Sequence, residues 1–329
     1  MVVGDLMVDV VIAPARAVEA GTDVPGRVAL RAGGSAANAA RWLGRLGADV
    51  VFIGAVGRDA AGRALEAAVR ADGAAPRLVR VAGARTGRIG VLVAPGGERS
   101  FVADRGAADR LRPADLRAAW FARAELLHLP AYSLLGEPLG LAGMEAIRLA
   151  RAAGALVSVD LASIGPLLAG GRDAALALVR AAAPDILFAT AAEAAALLGA
   201  ESAHRGAAEA ASDAGAEAGP EAGEAEPWLT GLSALAPIAV IKRGGRGATV
   251  LAASASSASP LRVDVAVSRV ATTDTTAAGD AFDAGFIHGY LVGRAAGKTG
   301  PALLRRAARA GHAAARRQLT ARRPELPLL

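Results

Sequence analysis

The sequence predicts an α/β protein built on a mostly parallel sheet, and three observations carry that reading. Short β-branched runs alternate along the chain with longer alanine-rich helical runs, the pattern of repeated strand–helix units. A length of 329 residues suits one large α/β domain or two small ones. Apolar residues make up 53% of the chain and aromatics only 3%, so alanine, valine and leucine must fill the core.

Val2–Val11 reads as the first strand, Ala36–Leu46 as a helix and Val50–Ile53 as the next strand. Asp59–Asp72 is helical. Later strands fall near Leu126–Leu129, Leu156–Val159, Ile186–Ala189 and Ile238–Lys242. Between them lie helices near Met144–Ala153, Ala174–Ala182 and Ala191–Leu198. Arg88–Ala94 and Arg99–Ala103 flank Pro95-Gly96-Gly97-Glu98, a hairpin signal. With Val10–Ile12 and Arg27–Arg31, this hairpin is expected to form a small second sheet. Helices resume near Gly279 and Ala302. The stretch 201–226 is rich in Ala, Gly and Glu without apolar periodicity, and reads as a flexible surface insertion.

Composition narrows the function classes. No run of eighteen apolar residues occurs, so no membrane-spanning helix is expected. Asp5 and Asp9 interrupt the apolar N-terminal stretch and no basic segment precedes it, which argues against a secretory leader. With no cysteine there is no disulfide framework, thiolate zinc site or cysteine nucleophile, and a cytoplasmic location is expected. Four histidines, His128, His204, His288 and His312, are too few and too scattered for a multi-histidine metal centre. The net charge is +6, but nearly all the basic charge is arginine, Lys242 and Lys298 being the only lysines. The last forty residues hold nine bases against one acid on a helical pattern without interleaved aromatics. Nucleic-acid binding is therefore not expected.

Val292-Gly-Arg-Ala-Ala-Gly-Lys298-Thr299 is a decoy. It misses the first glycine of the phosphate-binding P-loop pattern and follows a helical run rather than a strand. It reads as an inter-helix turn with Gly297 as a C-cap. The informative segment is Asp274-Thr-Thr-Ala277-Ala278-Gly279-Asp280-Ala-Phe282, where tiny residues lead straight into an apolar helix. A helix N-terminus offers unpaired N–H groups and partial positive charge, and small side chains let a phosphate approach them. Asp280 in the first turn is either an ordinary cap or a general base beside a phosphate hole.

This segment resembles the C-terminal signature of the ribokinase-like (PfkB) carbohydrate kinase family, with Ala277 where most members have glycine. The N-terminal signature also matches, as Gly33-Gly34-Ser35-Ala36-Ala37-Asn38-Ala39-Ala40 followed by Leu43-Gly44-Arg45-Leu46-Gly47. It continues through Gly54-Ala-Val-Gly57-Arg58-Asp59 and Gly62. The resemblance implies a single three-layer αβα kinase domain with a mostly parallel sheet. A small β lid, from about residues 10–32 and 84–104, would close over the substrate. It implies ATP and Mg2+, with a monovalent cation such as K+ in some members, and a homodimer paired through the lid.

By the same resemblance, Asp280 is the base that takes the proton from the acceptor hydroxyl. The N–H groups of Ala277, Ala278 and Gly279 form the anion hole for the transferring phosphoryl group. Asp9, Asn38 and the Gly33-Gly34 backbone match the sugar floor. Ile241-Lys242-Arg-Gly244-Gly245-Arg-Gly247 matches the glycine turn of the nucleotide pocket, with Lys242 where threonine is common. His312 matches a histidine that lies against adenine. Thr190-Ala-Ala-Glu193 stands where the family has Asn-x-x-Glu, so Thr190 would meet phosphate and Glu193 would organise magnesium-bound water. Asp274 and Thr276 match the monovalent-cation site. Ser35 and Pro130 replace the lysine and glutamate of ribokinases proper, and Arg99 and Arg105 lie on or near the lid hairpin. Ribose, a fructose-like ketose, an acidic keto-sugar and a nucleoside all stay open as acceptors, as does a non-catalytic sugar-binding regulator.

Overall fold

The computed structural model describes residues 1–94, 99–199, 227–253, 259–272 and 274–327. The hairpin turn 95–98 and the insertion expected at 201–226 lie outside the described residues. The chain runs β1 (Val2–Val3), β2 (Met7–Pro14), β3 (Gly26–Gly33), α1 (Ser35–Arg45), β4 (Val51–Gly57), α2 (Ala60–Ala71), β5 (Ala75–Val81), β6 (Thr86–Val93) and β7 (Arg99–Gly106). It continues with β8 (Leu126–Pro130), α3 (Leu139–Ala152), β9 (Leu156–Asp160), α4 (Ile164–Leu168), α5 (Arg172–Ala182), β10 (Ile186–Thr190), α6 (Ala191–Leu198) and α7 (Pro227–Ser233). Last come β11 (Ile238–Lys242), β12 (Ala248–Ala252), β13 (Leu261–Val265), α8 (Ala278–Ala295) and α9 (Gly300–Thr320).

Nine strands form the main sheet in the order β13-β12-β11-β10-β9-β8-β1-β4-β5. From β5 to β11 every pairing is parallel, and β12 and β13 add an antiparallel edge. Strand alternation divides the core. Val3, Ile53, Leu127, Leu187 and Ile241 pack beneath α3, α4, α5, α6 and α7, while Val2, Phe52, Leu126, Phe188 and Val240 pack against α1, α2, α8 and α9. The result is the expected αβα sandwich. Gly285, Gly289 and Gly293 line the contact with α9, where a Cβ on Gly285 would stand 2.5 Å from the Ala310 carbonyl. This close packing seats α8 firmly, and with it the α8 N-terminus.

The remaining four strands form a separate small sheet, ordered β3-β2-β6-β7. β2 pairs antiparallel with β3 and parallel with β6, and β6 pairs antiparallel with β7. The single first strand expected over Val2–Val11 is in fact two. The chain leaves the main sheet at Gly4, and Asp5 turns inward to accept the Ala36 N–H at 3.0 Å before β2 begins in the small sheet. Only Gly4 and Asp5 separate the two apolar runs at this crossing, so periodicity alone does not reveal it. β5, β12 and β13 were not expected; in β5, Arg77 and Arg80 interrupt the apolar residues, which suits the edge strand it is. The decoy segment is an inter-helix turn, with Gly297 in the left-handed region at φ 73°.

Candidate active site

The parallel strands end where the crevice of an open α/β sheet is expected, outside their carboxyl ends. There β9 delivers Asp160, β10 delivers Thr190 and β11 delivers Lys242. The N-termini of α1 and α8 converge on the same place. Ala277 is the N-cap of α8 and adopts φ 61°, ψ 12°, a left-handed conformation that glycine takes more cheaply. The Ala278 N–H turns back to the Thr275 carbonyl at 3.2 Å, and the first helical bond runs from the Ala281 N–H to the Ala277 carbonyl at 3.0 Å.

Asp280 is the third residue of that helix. Its Oδ1 accepts from Ser35 Oγ at 2.7 Å and its Oδ2 from Asn38 Nδ2 at 2.9 Å. Burial pushes its pKa up to about 7, and the two hydrogen bonds temper that rise. A cleft of about 590 Å³ is lined by Ala277, Ala278, Gly279 and Asp280 together with Thr190, Glu193, Lys242, Gly244, Gly247 and His312. Every residue expected on the nucleotide side is thus brought to one cavity.

Local geometry fixes each wall. Thr190 and Glu193 form a reciprocal cap on α6: the Glu193 N–H donates to Thr190 Oγ1 at 3.2 Å and the Thr190 N–H to Glu193 Oε2 at 2.7 Å. Burial and the nearby Asp160 raise the Glu193 pKa. His312 donates through Nε2 to the Val265 carbonyl at 3.2 Å and lies edge-on to Phe282 at 5.1 Å between centroids. Burial lowers its pKa, favouring neutral imidazole.

Asp9 is not among the residues that line this cleft; it is 4% exposed and faces Arg323, whose Nη2 donates to Oδ2 at 3.3 Å. Burial raises the Asp9 pKa, and the Arg323 charge partly opposes this. A Cβ on Gly33 would overlap the Asp9 carboxylate, and Gly34 has φ 96° with Asp5 O only 2.6 Å from where its Cβ would stand. Only glycine fits either position. Asp274 and Thr276 lie just before the helix start and are engaged by arginines, described below.

Two contributors, Asp160 and Asp283, were not singled out from the sequence. Lys242 Nζ donates to Asp160 Oδ1 at 2.9 Å and to Asp283 Oδ2 at 3.1 Å. Burial alone would favour a neutral amine, but Asp160, Asp283 and Glu193 outweigh it and raise the Lys242 pKa. Asp283 is fully buried, and burial together with Asp160 holds its pKa well above the usual carboxylate range. Two signals pointed here: Asp160 at the end of a parallel strand, and Asp283 three residues beyond Asp280 on one helix face. Ser35, noted in the sequence as a replacement for lysine, holds Asp280. Arg105 packs over the Tyr132 ring at 5.2 Å and stands 3.7 Å from Asp5, with its Nη2 buried and unpartnered.

This fold is that of the ribokinase-like kinases. A family model for pfkB family carbohydrate kinases matches residues 1–326, and the chain belongs to that family. Maize fructokinase-1 is 39% identical over 131 residues, which is 39% of this chain and 41% of the maize protein. The match therefore spans about two-fifths of that relative's length. Solved structures align far more completely. Adenosine kinase from Sinorhizobium meliloti superposes with a TM-score of 0.77 at 24% identity, over 99% of this chain and 95% of the other. A ribokinase II of provisional assignment from E. coli, solved with ATP and Mg2+, gives 0.73 at 22% identity over 98% and 92%.

Proposed function

We propose that this protein transfers the γ-phosphoryl group of ATP to a hydroxyl of a small carbohydrate, with Asp280 as general base. The observation that carries the reading is the placement of Asp280. Its carboxylate is held by Ser35 and Asn38 at the start of α8, and its pKa is pushed up to about 7. A base of that strength is half ionised near neutrality, where it accepts a proton from an alcohol as the nucleophile forms.

The acceptor hydroxyl gives its proton to Asp280 while its oxygen attacks the γ-phosphorus, and the bridging oxygen leaves with ADP. The N–H groups of Ala277 and Gly279 at the α8 N-terminus would face the charge that builds on the transferring phosphoryl oxygens, whereas the Ala278 N–H is turned back to Thr275. Lys242 lies beneath them, its Nζ 3.6 Å from where a Gly279 Cβ would stand, and offsets the Asp160 and Asp283 carboxylates there. Asp9 and Asn38 would orient the sugar hydroxyls. The cleft walls of Gly244, Gly247 and His312 would hold the nucleotide.

Magnesium suits the chemistry of this cleft, since Glu193 and Asp160 present hard carboxylate oxygens to it. Among the described residues no group of three such side chains is placed to hold a metal by itself, which fits an ion carried largely by phosphate and water. When bound, it neutralises phosphate charge.

The maize relative favours a ketohexose as the first acceptor to test. Arg105 supports a second reading, an acidic keto-sugar, because its buried Nη2 lacks a partner beside Tyr132 and Asp5. The small sheet would act as the lid that excludes water. Its apolar outer face would pair with a second copy. An ADP-release screen over ketohexoses, pentoses, keto-acid sugars and nucleosides tests the reading. Thermal stabilisation by a sugar without any turnover would instead indicate a non-catalytic regulator.

A further inference from the structure

The site expected for a monovalent cation is already filled by guanidinium groups. Arg99 donates through Nη1 to Thr276 Oγ1 at 3.0 Å and through Nη2 to Thr275 Oγ1 at 2.8 Å. The same Nη2 lies 3.8 Å from Asp274 Oδ1. Arg31 Nη1 and Arg323 Nη1 each stand 3.7 Å from Asp274 Oδ2. Asp274 Oδ1 also accepts the Thr276 N–H at 3.0 Å. A bound cation needs several oxygens turned toward one open point. Here the carboxylate faces three positive groups, and both threonine hydroxyls accept hydrogen bonds from Arg99. These residues do not fit the ion.

We propose that Arg31, Arg99 and Arg323 together replace the monovalent cation at Asp274 and hold the loop that leads into the α8 N-terminus. The proposal rests on the kinase reading above, which gives that loop its role. Local charge argues the same way. Three guanidinium groups stand 3.7–3.8 Å from the one Asp274 carboxylate, and Arg31 Nε and Arg323 Nη1 are buried without hydrogen-bond partners. Burial, and then the Arg323 charge, lower the Arg31 pKa. A further cation entering here meets net repulsion.

The three arginines come from three places. Arg31 belongs to β3 and Arg99 opens β7, both in the small sheet, while Arg323 follows α9. Thr275 and Thr276 immediately precede Ala277. Arg99 therefore ties the small sheet directly to the loop that shapes the phosphate-binding turn, a link that a free ion cannot provide. Arg323 extends the tie to Asp9 on β2. In this arrangement Arg99 is a positioning residue: it sets the loop and leaves the reacting atoms to Asp280.

The test is a comparison of salts. The full-length protein is assayed with ATP, Mg2+ and the best acceptor in tetramethylammonium, sodium and potassium chloride at equal ionic strength. The wild type should show the same kcat in all three to within about twofold, the range of simple screening. Arg99→Ala should lose about 10- to 100-fold in kcat through misplacement of the loop. Arg99→Lys should keep most of the activity, and millimolar guanidinium should restore part of it to Arg99→Ala. Activation of the wild type by potassium of about tenfold or more overturns the proposal. So does an Arg99→Ala variant with unchanged kcat, or an Arg99→Lys variant as impaired as the alanine with no guanidinium rescue. Nucleotide affinity and melting temperature in the same salts, measured without acceptor, report any cation effect on the loop directly. A total lack of turnover would then count against the kinase reading alone.

Discussion

Asn38 Nδ2 donates to Asp280 Oδ2 at 2.9 Å, joining two segments that lie 242 residues apart in the chain. Asn38 stands near the start of α1 and Asp280 near the start of α8, so the bond locks two helix N-termini around one carboxylate. Ser35 occupies the other oxygen of the same carboxylate. Both donors stabilise the ionised form, while burial favours the neutral one, and the balance leaves the group titrating near neutral pH.

Replacing this group should separate chemistry from binding. Asp280→Asn is expected to bind sugar and ATP but to lose at least about 10²-fold in kcat, the usual share of a general base. In the wild type kcat/KM should rise as pH passes through about 7, because the base must be ionised. Stability runs the opposite way. A carboxyl whose folded pKa lies above its unfolded value contributes stability that is full below the unfolded pKa and lost as pH rises through the folded one. The melting temperature of Asp280→Asn relative to wild type should therefore improve between about pH 5 and about pH 8. A flat difference across that range would show that Asp280 is not perturbed.

Two aspartates near the start of the chain should behave differently. Asp5 accepts the Ala36 N–H at the head of α1, and Asp9 lies against Gly33 and is held by Arg323. Asp9→Ala should raise the sugar KM by about 10- to 100-fold, the cost of leaving a substrate donor unpaired. Asp5→Ala should instead cost about 1 kcal/mol or more of stability through the lost cap. Titrations of each variant with sugar and with ATP, alongside thermal melts, distinguish the two roles. A KM effect confined to Asp5→Ala would reverse the assignment.

Lys242 balances Asp160 and Asp283 where little water reaches. Lys242→Met would strand both carboxylates and should cost about 3–5 kcal/mol, the penalty for breaking a buried pair. Adding Asp283→Asn should recover part of that stability without restoring kcat. Calorimetry on both variants checks this, and equal instability of the single and double variants would show that Asp283 does not share the proton.

Much of this site was legible because its parts are local. The small-residue run before Asp280 and the Gly33-Gly34 pair each encode a backbone geometry within a few residues. The Lys242–Asp160–Asp283 cluster was not legible, since its members lie on β11, β9 and α8 and meet only through sheet order. The arginine cluster at Asp274 was hidden for the same reason. The motif identified the carboxylate, but the groups that fill its neighbourhood come from the small sheet and from beyond α9. In the fold, the helices and central strands were readable from periodicity. The crossing between sheets at Gly4 was not, because both halves of that apolar run are buried in turn.

The small sheet offers a final prediction. Ile12 is paired with Val28 on β3 and with Leu92 on β6, and Gly90, two residues before Leu92, is paired with Val102 on β7. Alternation puts these side chains on one face. That face is open: Val28 is 68% and Val102 75% exposed, and Ile12 and Leu92 are each 38% exposed. A contiguous apolar patch on a sheet otherwise rich in arginine is a candidate interface. Light scattering on the purified protein should give the mass of a dimer, and Val102→Asp should shift it to a monomer with the fold intact by circular dichroism. Because both faces of the sheet share one backbone, the monomer should also bind sugar more weakly while its ATP affinity stays nearly constant. A wild-type monomer at all concentrations would remove the pairing. A dimer undisturbed by Val102→Asp would move the interface away from the small sheet.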